Sequence, residues 1–183
     1  MRTLKLLFIF IIILIIHGCG TSYEKDPLDM WLYMTPDRSM DVEYVVYENG
    51  KQTDYFTETV KVFSSGTVER VSGDDRTTLI PYSDKIMEEE PNGDRVSIKR
   101  LVNVGDKNVF QSNTIRSCDI DDFFRNFRAK DREFFNVIKV HCINNSGSIS
   151  DIYYGYDEGI VYLYRNENGS ISEILKIRDT QLE

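Results

Sequence analysis

Side chains able to make and break bonds are few in this sequence. It has two histidines, His17 and His141, and three cysteines, Cys19, Cys118 and Cys142. A hydrolase needs a nucleophile with a base in hydrogen-bond reach, but His141 stands between Val140 and Cys142 in a strand-like run and no Gly-x-Ser-x-Gly occurs. His141 and Cys142 would point to opposite faces of a strand, so they make a poor zinc pair. Asp119, Asp121 and Asp122 have the beginning of a calcium-loop spacing, yet Phe123 and Phe124 stand where an EF-hand requires an acid and a glycine. These acids fit better as the first turn of a helix, where negative charge suits the macrodipole. Glu88, Glu89 and Glu90 read as a solvated loop that discourages edge pairing, and no carboxylate pair stands out as a glycosidase couple. The chain therefore reads as a non-enzyme that needs neither metal nor cofactor.

Binding chemistry is better represented. Tyr153, Tyr154, Tyr156, Tyr162 and Tyr164 form a tyrosine-rich stretch whose rings could stack on a sugar or anchor a protein partner, because they bury area while keeping a polar tip wet. Alternating tyrosines are also ordinary strand residues, and cross-strand pairing is the commoner role. A net charge of -8, from 22 basic and 30 acidic residues, excludes a nucleic-acid partner drawn in by phosphate attraction.

The first nineteen residues give an address. Arg2 and Lys5 precede an unbroken apolar run over residues 6–16, the layout of a signal peptide. As a helix that run reaches roughly 16 Å, about half of a hydrocarbon core, so it is too short to span. The tetrad Ile16-His17-Gly18-Cys19 resembles the lipobox of bacterial lipoproteins, in which an aliphatic, a variable and a small residue precede the cysteine. The resemblance implies cleavage after Gly18 and lipidation of Cys19, with the mature protein held on a membrane by its acyl chains. One chain binds only marginally at about 0.8 kcal/mol per buried methylene, whereas two or three hold permanently. Gly20, in place of the aspartate that retains some lipoproteins at an inner membrane, favours the outer membrane and its periplasmic face. A looser likeness to uncharacterised β-rich envelope lipoproteins covers about a quarter of the chain, from Cys118 through Tyr153-Tyr154-Gly155-Tyr156 to Tyr164.

Export leaves Cys118 and Cys142 as the thiols of the folded body, and in an oxidising compartment they are expected to pair. The loop they close is worth roughly 3 to 4 kcal/mol in the chain-entropy account.

The elements that must position these residues are mainly strands. The chain has 183 residues, 41% hydrophobic and 12% aromatic, enough for one core-forming domain. Asn49-Gly50 between alternating apolar runs is a strong hairpin signal, and the residues 166–169 predict a closing hairpin with a four-residue loop. Turn clusters recur at intervals of about ten residues and predict an antiparallel meander of seven to ten strands, arranged as a sandwich, small barrel or half-barrel. One or two short helices accompany it. Asp26 and Pro27 predict the start of one, with Leu28, Trp31 and Leu32 on a common face, and the spacing of Phe123, Phe124 and Phe127 predicts the other. The organisation is thus a signal peptide over 1–18, a lipidated cysteine and tether over 19–36, and a single β-rich domain over 37–183. The function this supports is a membrane-anchored module for envelope assembly or binding of an envelope protein. Its rival is a half-barrel carrier of an apolar ligand such as an acyl chain, which a concave aliphatic pocket of several hundred cubic ångströms would favour.

Overall fold

The computed structural model describes residues 26–182; the signal peptide, Cys19 and residues 20–25 lie outside them. The elements are β1 (Leu28–Asp29), α1 (Met30–Met34), β2 (Met40–Glu48), β3 (Lys51–Val62), β4 (Val68–Ser72), β5 (Asp75–Pro81), β6 (Lys85–Glu89), β7 (Arg95–Lys99), β8 (Leu101–Val102), β9 (Phe110–Gln111), β10 (Ile115–Ala129), β11 (Arg132–Asn144), β12 (Ile149–Gly155), β13 (Gly159–Glu167) and β14 (Ser170–Gln181). Twelve of the strands form one antiparallel sheet in the order β10-β11-β12-β13-β14-β2-β3-β4-β5-β6-β7-β9, and β1 pairs separately with β8. Two meanders are therefore joined side by side through β14 and β2.

The sheet rolls until its ends almost meet. Segment 105–109 bridges them: Gly105 N donates to Ile120 O at 2.8 Å and Val109 N to Cys118 O at 2.7 Å on one side, and Lys99 N donates to Val109 O at 2.8 Å on the other. Closure of this kind removes the exposed edges an open sheet would carry. Of the three expected arrangements, the nearly closed barrel is the one formed. A stretch of edge stays free on β3, whose ladder with β4 covers only Thr59 to Val62, leaving residues 51–58 without a paired strand on that side among the described residues.

Local sequence explains the joints. Asn49 and Gly50 have φ of 48° and 78°, the paired left-handed conformation of a two-residue turn whose twist matches the strands it links. Asn168 and Gly169 repeat it at φ of 52° and 91°, so the last hairpin has a two-residue loop, shorter than the four expected.

α1 plugs one end of the barrel. Its cap is Asp29 and not Asp26: Asp29 Oδ1 accepts from Trp31 N at 3.0 Å while the same carboxylate holds Arg100 in a bidentate ion pair. The buried face is Met30, Tyr33 and Met34, whereas Leu32, expected inside, is exposed. A five-residue helix rotates by the choice of its starting residue, so a three-residue shift of the cap turned a different face inward. Because β1 and α1 are core elements, the folded body includes residues 28–36, and the tether boundary expected after residue 36 falls inside it.

The second expected helix is a strand. Residues 123–127 belong to β10, which pairs with β11 from Ile115↔Asn144 to Ala129↔Arg132. Phe124 and Phe127 do converge, with ring centroids 5.6 Å apart, but they do so because the hairpin coils as it bends over the barrel wall. Its tip reaches across β12 and β13: Lys130 lies 4.4 Å above the Tyr47 ring on β2 and pairs with Glu173 on β14. Ala129 and Phe134 pack there with Val45, Val137, Val161 and Leu175 in a second cluster on the outer face. Covering both faces explains why consecutive Tyr44 and Val45 are both buried, at 4% and 2% exposure.

Candidate functional site

The expected site residues are dispersed by the fold. Tyr153 and Tyr162 lie on the outer face, where Phe127 stacks on Tyr153 at 4.3 Å and Tyr162 Oη donates to Glu173 Oε1 at 3.0 Å. Tyr156 meets Tyr33 edge-on beside α1. Tyr164 is half-buried opposite Asp151 and Glu173. Tyr154 alone points into the barrel. The five do not form one platform, since alternation along β12 and β13 sends neighbours to opposite faces.

Cys118 and Cys142 are direct cross-strand partners and are joined in a disulfide with Cα atoms 4.1 Å apart, close to the narrow spacing of a non-hydrogen-bonded antiparallel pair. His141, on the opposite face, has Nδ1 2.6 Å from Asp151 Oδ1, and Lys139 links Asp151 to Asp121. Asp119 accepts from Lys107 and from the Asn108 amide. Those two lysines hold the Asp119 and Asp121 carboxyls below their usual range through hydrogen bonds. Asp119, Asp121 and Asp122 therefore serve strand surfaces, not the helix terminus expected of them, and no group of three or more metal-ligating side chains occurs among the described residues.

The functional geometry lies in the barrel interior. Between β12 and β13 on one wall and β4 to β7 on the other is an open cavity of about 410 Å³. Its apolar wall is Phe110, Ile115, Ile143, Ile152, Ile160 and Leu163. The mouth is marked by Ser148, in the turn after β11, and by Glu167 at the end of β13, the end of the barrel opposite α1, whose Leu32 O accepts from Asp157 N in the turn after β12. Below the cavity the space is filled, with Met34, Val42 and Val60 packed under Tyr44.

A charged group lies between cavity and plug. Glu58 on β3, Arg70 on β4 and Glu88 on β6 each occupy an inward position, following Phe56, Val68 and Ile86 in the strand alternation. Arg70 Nε lies 3.2 Å from Glu58 Oε1, and both side chains are only 14% exposed. Burial alone would lower the Arg70 guanidinium, but Glu58 and the other acids around it hold it above its ordinary value. Burial pushes the Glu88 carboxyl up; Arg70 opposes this, while Glu90 and Glu58 reinforce it. The Tyr44 and Tyr154 phenols are raised by burial too, with Glu58 and Glu88 respectively adding to it. Glu58 and Arg70 were not singled out from sequence, and Glu88, expected with Glu89 and Glu90 in a solvated loop, lies instead on β6 and lines the cavity. The signal was there: a charged side chain at the period-two position of an otherwise apolar strand face.

Fold and cavity together define a nearly closed antiparallel barrel with a one-ended internal pocket. No protein-family model matches the chain, and no curated protein matches it. Among solved structures it is similar to a candidate exported protein with a YmcC-like fold from Bacteroides fragilis NCTC 9343, with a TM-score of 0.54 and 10% identity over 82% of this chain and 99% of that one. That likeness shows the fold. A LolA superfamily protein from Nitrosomonas europaea aligns with 84% of this chain and 90% of its own at 8% identity, but its TM-score of 0.26 is too low to carry an argument.

Proposed function

We propose that this chain is a cell-envelope binding protein, held on a membrane through lipid on Cys19, whose barrel shelters the apolar part of an amphiphilic ligand. The observation that carries this reading is the cavity of about 410 Å³, whose lining combines the apolar side chains of Ile115, Ile143, Ile152, Ile160 and Leu163 with charged groups, inside a barrel that is otherwise packed and within the size range of small-molecule sites. A protein that only displayed its surface would have no need of that unfilled space, since voids in a core cost stability. The envelope address draws support from the leader, from the disulfide that an exported domain retains, and from the fold shared with a candidate exported protein. The test is displacement of the fluorescent probe N-phenyl-1-naphthylamine by dodecanol. Wild-type protein is expected to bind the probe saturably and release it to dodecanol, and Ser150→Trp, which places a large side chain in the cavity, is expected to lose both while keeping its strand spectrum. Equal binding by the plugged variant would overturn the carrier reading.

A second reading, an assembly module, is favoured by the free edge of β3 over residues 51–58, since an extended segment of a partner protein can add a strand there. In both readings the protein stays with the membrane through its lipid. Cys19→Ala is expected to move it from the detergent phase to the aqueous phase, and unchanged partitioning would remove the anchor from either account.

A further inference from the structure

Resting on the carrier reading, the structure assigns a polar preference to the cavity: we infer that it takes amphiphiles with a cationic head group, and that Glu88 is the residue that receives the head. The acids facing the cavity are Glu58, Glu88, Glu90 and Glu167, against Arg70 and Arg165. Two of them are already engaged: Glu58 holds Arg70, and Glu167 lies 3.8 Å from Arg165 at the mouth. Glu90 is exposed at the rim. Glu88 differs from all three. It lies on the inward face of β6, beside Tyr154, and its carboxylate makes no direct ion pair or hydrogen bond among the described residues.

A half-buried carboxylate on a cavity wall that has no hydrogen-bonded partner of its own is available to a cationic group brought by a guest. Arg70 is bonded directly to Glu58 on the neighbouring strand and reaches Glu88 only through space. A cation entering from the mouth with its tail along Ile152, Ile160 and Leu163 would give Glu88 a direct ion-pair partner and bury apolar area in the same step. An anionic head would meet an excess of acids and is disfavoured there.

The experiment compares three ligands of one chain length below their micellar concentrations: dodecylammonium, dodecanol and dodecanoate. Wild-type protein is expected to bind dodecylammonium about tenfold more tightly than dodecanol, a difference of about 1.4 kcal/mol, and dodecanoate more weakly than either. Glu88→Gln is expected to bring dodecylammonium down to the affinity of dodecanol while leaving dodecanol unchanged, which also shows that the variant is folded. Asp74→Asn, in an exposed turn, makes the same charge change and is expected to leave the preference intact. Loss of the preference in Asp74→Asn, or its survival in Glu88→Gln, would overturn the assignment. Saturable dodecanol binding without head-group preference would overturn it and leave the carrier reading standing, whereas failure of all three ligands to bind would overturn both.

Discussion

At the α1 end of the barrel Met30, Met34 and Val42 are 0 to 2% exposed and side chains fill the interior, whereas toward the far end Ile143, Ile152 and Leu163 face open space. The same sheet supplies both walls, so the difference comes from what enters the barrel. A five-residue helix seals one end. At the other, strands of five residues on β4, β6 and β7 are too short to close over the opening, and inward charges replace apolar side chains. Stability is thus concentrated where packing is complete, and capacity for a guest where it is not.

The sharpest way to break this contrast is truncation at each end. Met34→Ala is expected to cost about 3 kcal/mol, as a fully buried side chain with little room to relax around it. Leu163→Ala, on the cavity wall, is expected to cost under about 1 kcal/mol, because its neighbours already face a void. Denaturant midpoints at unchanged slope would check both, and equal losses would erase the distinction. Reduction of Cys118–Cys142, which lies on the open half of the barrel, is expected to lower stability by about 2 to 3 kcal/mol, read as a fall in melting temperature of several degrees. The smallest effect is a pH dependence. Burial raises the folded-state pKa of Glu88, so its contribution is complete below the ordinary glutamate range near about 4.3 and is lost as pH rises through the higher folded value. Glu88→Gln is expected to flatten that decline between pH 4 and neutrality in melting curves. Asp119 and Asp121, held low by lysines, act with the opposite sign, losing their contribution as pH falls through their folded values.

Much of the architecture was legible because its signals are local. Asn49-Gly50 and Asn168-Gly169 need left-handed backbone wherever they fall, and both are hairpins. The pairing of Cys118 with Cys142 followed from compartment and count, and the register of β10 on β11 places them opposite one another. What was hidden depends on partners distant in sequence. Phe123, Phe124 and Phe127 have helical spacing, and only the matching strand over Phe134 to Ile143 decides otherwise. The tyrosine-rich stretch has one composition but two faces, which alternation divides between cavity and outer wall. Glu58, Arg70 and Glu88 are 12 to 30 residues apart and become neighbours only when β3, β4 and β6 curl around a common axis.

The opposition of plug and mouth has a bearing on traffic. Eight residues lie between Cys19 and Leu28, and the nine steps from one to the other cover at most about 30 Å even in a stretched chain. If lipid on Cys19 moors the protein, as proposed above, so short a reach keeps the sealed base nearer the bilayer than the opening. A guest would then have to arrive from the aqueous space, or by handover from something reaching in from outside, and not by sliding up from the leaflet underneath.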